Sequence, residues 1–265
     1  MKKAIRLIFW GAFLILPLIA CATTDFDIEK RKALSEDNRR VGDAYTRQGD
    51  YTRALRYYLE AAKHYADDPE LQYSMGKAYL EKQSYDLAIV HLKRTIELKP
   101  DMMPARKELG VAYIKAQNYD QAILVLKQMI DDQAYEIYAT PQSPKYIIGW
   151  AYYQKQQYTE SEHYLQQALD YYNIGIRKDV TYVMALRVMG LNALAQTKPE
   201  RALSYLEKAI PLAPKWPELY LDIARAHRLA GETPRARQAY NRVIELAAPG
   251  TNLMDTAVKE AASLN

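Results

Sequence analysis

Residues 69–102 read PELQYSMGKAYLEKQSYDLAIVHLKRTIELKPDM. Apolar residues recur every three or four positions on both sides of a short polar break, which is typical of two amphipathic helices joined by a turn. Gly76 and Ala88 stand where the two helices would touch, since a bulky side chain there would push them apart. The stretch therefore predicts a compact helix-turn-helix unit.

The same unit recurs along the chain. Glycine repeats every thirty-four residues at Gly42, Gly76 and Gly110, and a tyrosine and an alanine repeat in phase with it. The phase continues to the end of the chain if two insertions are allowed, one before Gly149 and one before Gly190. We expect the in-phase tyrosines to be packing residues.

In this period and pattern the sequence resembles a tetratricopeptide repeat array. The resemblance implies an all-α fold, a right-handed α-solenoid of about six helix-turn-helix repeats, because one helix pair cannot bury its own apolar face. A last amphipathic helix at residues 251–265 is expected to cap the stack. The six repeats are expected at residues 35–68, 69–102, 103–136, 142–175, 183–216 and 217–250.

The N-terminus has the pattern of a signal peptide. Positive charges in residues 1–6 precede an apolar run, residues 7–20, that is too short to span a bilayer comfortably. The run ends in Leu18-Ile19-Ala20-Cys21, which resembles the lipobox of bacterial lipoproteins. The alternative is an incidental cysteine in an ordinary signal peptide.

The lipobox resemblance implies that residues 1–20 are removed and that Cys21 receives a diacylglycerol and an N-acyl chain such as palmitate. Several acyl chains anchor a protein where one would be marginal. Ala22 is not the aspartate that retains lipoproteins in the inner membrane, so the resemblance implies the periplasmic face of the outer membrane, or the cell membrane in a single-membrane source. Residues 21–34 are expected to form a lipidated tether, with Ser35 capping the first helix.

Composition gives little support for other functions. The net charge of +4 falls to +1 without Lys2, Lys3 and Arg6, so a nucleic-acid partner is not indicated. The four histidines lack the close spacing of a zinc site, and no phosphate-binding glycine loop or nucleophile elbow is present. The single cysteine excludes an internal disulfide. We predict no enzyme activity, no metal or cofactor, and no small-molecule substrate.

In the repeat family the first helix of each unit lines a concave groove, so the resemblance implies a set of groove residues. Its apolar part is expected to bind a protein or peptide through Tyr73, Leu80, Val111, Ile114, Tyr146, Trp150, Tyr153, Leu191 and Leu194. Its charged rim is expected at Arg39, Lys77, Lys107, Arg187, Arg225 and Arg228. Asp43, Thr46 and Leu221 fall on the same stripe. The alternative is that the insertions or the terminal helix cover these residues.

The first insertion narrows the resemblance. Residues 138–141 read YATP and lead directly into a helix containing Gly149-Trp150-Ala151-Tyr152. This resembles the pilotin lipoproteins of type IV pilus biogenesis, and the lipobox and repeat number agree with that family. The resemblance implies an outer-membrane adaptor that binds secretin subunits and promotes their assembly. Residues 176–182, the second insertion, have no match there.

Two alternatives stay open for the function. One is a periplasmic scaffold for outer-membrane barrel assembly, cell-wall hydrolases or polysaccharide export. The other is an enzyme or transport component whose site the sequence does not reveal.

Overall fold

The computed structural model describes residues 12–132, 135, 140, 142–174 and 177–264. Residues 12–25, 173 and 174 are described by their backbone alone. The residues outside the described ranges include 1–11 of the predicted signal peptide, and 136–139 and 141 of the first insertion. Most of the YATP motif is therefore among them.

Helices form nearly all of the described structure, which contains no strand. Their bounds are α1 (Ala12–Arg47), α2 (Tyr51–His64), α3 (Pro69–Glu81), α4 (Tyr85–Leu98), α5 (Met103–Lys115), α6 (Tyr119–Ile130), α7 (Gln142–Gln154), α8 (Tyr158–Asp170), α9 (Val180–Ala195), α10 (Pro199–Ala209), α11 (Pro217–Leu229), α12 (Thr233–Leu246) and α13 (Asn252–Ala262). A short 3-10 segment, Tyr171–Ile174, follows α8. The prediction of an all-α solenoid of helix pairs is confirmed.

The chain divides into two compact units, Met1–Ala112 and Tyr113–Asn265. We call them the amino-terminal and the carboxy-terminal unit. In the carboxy-terminal unit one apolar core runs from Leu165 of α8 to Leu264 after α13. In the amino-terminal unit a smaller core joins α2 and α3 around Tyr58 and Leu71.

A three-residue turn joins the two helices of each pair, and its middle residue is left-handed. Glycine occupies this position at Gly49 and Gly231, with φ of 76° and 75°. Gln83, Gln117, Gln156 and Thr197 adopt it with φ between 56° and 60°. The turn requires a left-handed residue at this position even where the sequence has no glycine. Each non-glycine residue there costs about 1 kcal/mol of folding free energy.

The in-phase glycines set how closely paired helices approach. A methyl group on Gly149 would lie 2.6 Å from Cγ of Leu165 and 3.2 Å from the carbonyl oxygen of Ser161. A methyl group on Gly190 would lie 2.6 Å from Cγ of Leu206, and one on Gly76 would lie 2.7 Å from Cγ of Leu92. Each glycine therefore admits a fully buried leucine of the second helix.

Several in-phase tyrosines stack on an aromatic ring twelve residues later in the second helix. Tyr45 stacks on Tyr57 with ring centroids 5.4 Å apart, and Tyr79 stacks on His91 at 5.2 Å. Tyr152 stacks on Tyr164 at 5.7 Å. These contacts support the packing role that the sequence predicts for the in-phase tyrosines.

The first helix begins much earlier than Ser35, so the prediction that Ser35 caps it is wrong. Ser35 lies inside α1, is 1% exposed, and donates its hydroxyl to the carbonyl of Tyr65. Arg31 donates to the carbonyl of His64 at the end of α2, 3.0 Å away, which gives the added helical turns a partner. Cleavage after Ala20 and acylation of Cys21 stay predictions.

The last helix, α13, packs on α12 through Ala257 and Ala261, both buried. Arg237 of α12 donates to the carbonyl of Leu264, which fastens the end of α13. A capping helix therefore follows the last pair. Among the described residues, no helix is long and apolar enough to cross a membrane.

We predict that Gly149→Ala lowers the free energy of unfolding by about 1–2 kcal/mol. The crowding of Leu165 costs about 1–3 kcal/mol and exceeds the roughly 1 kcal/mol that alanine gains in helix propensity. Urea unfolding monitored by circular dichroism measures the change. In a Leu165→Ala background only the 3.2 Å contact with the Ser161 carbonyl oxygen remains, so the penalty should shrink. Additive penalties in this double-mutant cycle would contradict the prediction.

Candidate functional site

Three aromatic residues lie on one stripe of α7 in the carboxy-terminal unit. Tyr146, Trp150 and Tyr153 are spaced three and four residues apart, so they share one helix face. Each is half-buried and packs on the core with one side of its ring. Trp150 and Tyr153 are 5.4 Å apart between ring centroids.

Two leucines of the next first helix, α9, continue this surface. Leu194 is half-buried and packs on the same core, and Leu191 is half-buried one turn before it on the same helix face. We call Tyr146, Trp150, Tyr153, Leu191 and Leu194 the aromatic patch. Leu221 of α11, which the sequence placed on this stripe, is only 6% exposed and belongs to the core.

The phenol groups of the patch are neutral at physiological pH. Burial raises the pKa of Tyr146 to about 12. Burial also raises the pKa of Tyr153, and the nearby negative charge of Asp222 adds to the shift. Both phenols are therefore uncharged parts of the patch.

An ion pair that joins successive first helices adjoins the patch. Arg187 of α9 donates through Nε to Asp222 of α11 at 2.6 Å, and Asp222 is almost fully buried. Burial raises the pKa of the Asp222 carboxyl, and Arg187 opposes that shift. The guanidinium of Arg187 also lies 5.7 Å from the ring centroid of Trp216.

A second ion pair repeats this arrangement one repeat later. Arg225 of α11 makes three hydrogen bonds to the carboxylate of Glu260 of α13, the shortest of them 2.7 Å. Tyr240 donates to the same carboxylate at 2.8 Å, and Arg228 lies 3.8 Å from it. Hydrogen bonds from Arg225 lower the pKa of Glu260. The arginines predicted at the rim of this unit are therefore already paired.

The sequence carries a signal for these pairs in their spacing. Arg187 and Asp222 are thirty-five residues apart, and so are Arg225 and Glu260. This separation is one residue more than the repeat. Asp222 and Glu260 were not among the predicted site residues, because they lie one position out of phase with the predicted groove stripe.

Predicted groove residues of the amino-terminal unit form a more polar surface. Arg39 pairs with Asp43 at 3.0 Å, and Asp43 accepts hydrogen bonds from Tyr58 and Ser74. Thr46 also bonds to the Tyr58 hydroxyl. At the remaining predicted positions, the exposed Lys77 lies over the ring of Tyr73, and Lys107 pairs with Glu108. Leu80 and Val111 are half-buried.

Ile114 is half-buried and belongs to the carboxy-terminal unit. Within the described ranges, no group of three or more histidine, cysteine, aspartate or glutamate side chains could hold a metal ion. The aromatic patch therefore consists of predicted site residues of the carboxy-terminal unit alone.

Models of one repeat family match most of the chain. Tetratricopeptide repeat models match residues 41–102, residues 79–139 and 193–253, and residues 144–174. The chain is a tetratricopeptide repeat protein. Repeats of this type are protein-interaction scaffolds, so the fold of this tetratricopeptide repeat protein implies protein partners.

Solved structures agree with this fold. A crystal structure of PilW, described as a widely conserved type IV pilus biogenesis factor, matches with a TM-score of 0.72 at 15% identity, over 84% of this chain and 98% of PilW. Pseudomonas aeruginosa PilF matches with a TM-score of 0.67 at 12% identity, over 87% of this chain and 99% of PilF. MamA from Desulfovibrio magneticus RS-1 matches with a TM-score of 0.58 at 23% identity, over 68% and 95%.

At these identities the structural matches show the fold alone. No curated protein matches the sequence of this tetratricopeptide repeat protein significantly.

We predict that Glu260→Gln removes an acid-sensitive part of the stability. The pKa of Glu260 is below its ordinary value of 4.5 in the folded chain, so the carboxylate stabilises the fold above that pH and loses its effect as pH falls through the lowered pKa. The wild type should exceed the variant by about 1 kcal/mol at pH 7, a value reduced for the partial exposure of Arg225, and the gap should close in acid.

Urea unfolding as a function of pH measures this difference. Glu245→Gln is the matched control, since Glu245 pairs with Arg242 on an exposed helix surface. It should change stability little at any pH. A gap between wild type and Glu260→Gln that is constant from neutral to acid pH would refute the assignment.

Proposed function

We propose that this protein is a lipid-anchored adaptor that binds a partner protein through the aromatic patch and assists type IV pilus biogenesis. The observation that carries the proposal is the partly exposed stripe of Tyr146, Trp150 and Tyr153 on α7. Tryptophan and tyrosine supply most of the binding energy in many protein interfaces. A partly exposed cluster of them on a folded unit is what such an interface needs.

The surroundings of the patch favour binding of an apolar protein segment. Arg187 and Asp222 neutralise each other beside it, so a partner would not have to strip water from an unpaired charge. The phenols of Tyr146 and Tyr153 are also uncharged, so they add no charge to the surface that an apolar segment would cover. Side chains of the patch also pack against the hydrophobic core, so they lose little conformational freedom on binding.

The partner we propose is a subunit of the pilus secretin. Support comes from the resemblance to pilotin lipoproteins and from the fold shared with PilW and PilF over almost the whole of those chains. Binding at the patch would shield an apolar segment of the secretin subunit before it assembles. The protein would thereby promote secretin multimerisation without catalysing a reaction.

The lipid anchor we propose is attached to Cys21 and faces the periplasm at the outer membrane. Support comes from the order of basic residues, apolar run and Leu18-Ile19-Ala20-Cys21 at the N-terminus. The anchor would concentrate the adaptor at the membrane where secretin assembly takes place.

We predict that Trp150→Ala with Tyr153→Ala weakens secretin binding by at least about tenfold, because interface aromatics of this kind each contribute more than 1 kcal/mol. Titration of the purified soluble protein with purified secretin subunits measures the affinity. Circular dichroism should show the same helix content as wild type.

The matched control is Tyr164→Ala with Tyr205→Ala. These are half-buried aromatic residues on the second helices α8 and α10. The control should bind like wild type. Equal loss of binding in both double variants, or none in either, would contradict the placement of the interface.

A further prediction concerns the anchor. Cys21→Ser should abolish acylation, so the protein should move from the membrane fraction to the soluble fraction when cells are fractionated and metabolically labelled with a palmitate analogue. The number of secretin multimers should fall even though the aromatic patch is intact. Unchanged labelling of Cys21→Ser would exclude the lipoprotein assignment.

A further inference from the structure

A second concave surface lies at the edge of the carboxy-terminal unit, where the second insertion meets the turn between α10 and α11. It is a cleft of about 710 Å³. We call it the edge cleft, and its lining comprises Arg177, Lys178, Asp179, Val180, Val183, Pro211, Leu212, Ala213 and Trp216. None of the sequence-predicted groove residues lines it.

The apolar lining of the edge cleft is open to solvent. Val180 is 65% exposed and Leu212 is 45% exposed, and both are among the exposed large hydrophobic residues of the chain. Trp216 is half-buried beside them. Exposed aliphatic side chains that converge on one concavity mark a binding surface more often than isolated ones do.

The positive charges of the edge cleft have no acidic partner. Arg177 and Lys178 are both exposed, and neither forms an ion pair with any residue that the structure describes. Lys178 places its Nζ 4.7 Å from the ring centroid of Tyr182. The rim arginines of the same unit are held by carboxylates, whereas Arg177 and Lys178 border a concavity and can pair with an external anion there.

The one acid of the edge cleft, Asp179, is already occupied. Its carboxylate accepts hydrogen bonds from Gln142, from the Tyr172 hydroxyl and from the backbone N–H groups of Thr181 and Tyr182. These hydrogen bonds engage the carboxylate with groups other than Arg177 and Lys178. By accepting from the backbone of Thr181 and Tyr182 it caps the first turn of α9, which follows Arg177 and Lys178 directly.

We propose that the edge cleft binds an extended protein segment in which a carboxylate stands next to an aliphatic or aromatic side chain. The carboxylate would pair with Arg177 and Lys178, and the apolar side chain would pack on Val180, Leu212 and Trp216. Charge complementarity favours an anionic occupant, and the concave form favours a chain segment over the flat surface of a bilayer. This site is separate from the aromatic patch and does not depend on the identity of the partner there.

The test uses a displayed library of random peptides as the probe and the purified soluble protein as the target. Selected peptides should be enriched in aspartate or glutamate beside leucine, isoleucine or phenylalanine. Synthetic versions of the selected peptides should lose about tenfold or more in affinity for Arg177→Glu with Lys178→Glu. Val180→Ser with Leu212→Ser should weaken the same peptides at unchanged charge, and neither change removes a buried side chain.

Two controls distinguish binding at the edge cleft from a general effect of net charge and from binding at the aromatic patch. Lys198→Glu with Lys259→Glu carries the same change in net charge at exposed positions away from the cleft, and it should bind the peptides like wild type. Trp150→Ala with Tyr153→Ala should also bind the peptides like wild type. A wrong assignment of the aromatic patch and a wrong assignment of the edge cleft would therefore give different results. Peptides without acidic enrichment, or equal binding by Arg177→Glu with Lys178→Glu, would overturn the proposal.

A membrane occupant gives a distinct outcome. Vesicles of phosphatidylglycerol and phosphatidylcholine should bind the wild type and Arg177→Glu with Lys178→Glu equally weakly at physiological salt. Strong vesicle binding that the double charge reversal abolishes, with no acidic peptides selected, would assign the cleft to anionic lipid instead and refute a protein segment.

Discussion

The close approach of paired helices at the in-phase glycines is the constraint on which the rest of the structure depends. Gly149 admits Leu165, and Gly190 admits Leu206, because neither glycine has a Cβ atom. The buried leucine then fixes the rotation of both helices about their axes. That rotation leaves Trp150 and Tyr153 partly exposed, so the aromatic patch follows from a packing contact on the adjoining face of α7.

The ion pairs between first helices perform a different task from the glycines. Glycine and leucine fasten helices within a pair, whereas Arg187 with Asp222 and Arg225 with Glu260 fasten one pair to the next. Because each arginine is held by a carboxylate that the fold itself supplies, little free charge borders the aromatic patch. At the edge cleft Arg177 and Lys178 form no ion pair with a described residue, so one unit carries two surfaces of different chemistry.

The sequence predicted the fold well because its strongest constraint is local and visible in residue types: a small residue every thirty-four positions leaves few other structures. It did not predict the start of α1, because residues 26–34 have no apolar stripe and their anchoring acceptor, the carbonyl of His64, is about thirty residues away. The position of Tyr146, Trp150 and Tyr153 in their repeat predicted them as groove residues. The sequence did not predict the role of Asp222 or the edge cleft. Both depend on contacts between repeats or around an insertion, where position in the repeat no longer specifies the neighbour.

The length of α1 has a mechanical consequence for an anchored protein. A flexible tether would let the repeats sample many heights and orientations above a membrane. Continuous helix from Cys21 to Ser35 instead spans about 20 Å at 1.5 Å per residue, and the same helix then enters the first repeat without a break. A lipid on Cys21 would thus be joined to the folded repeats by a stiff lever, which would set both the distance and the direction from which the protein meets a partner.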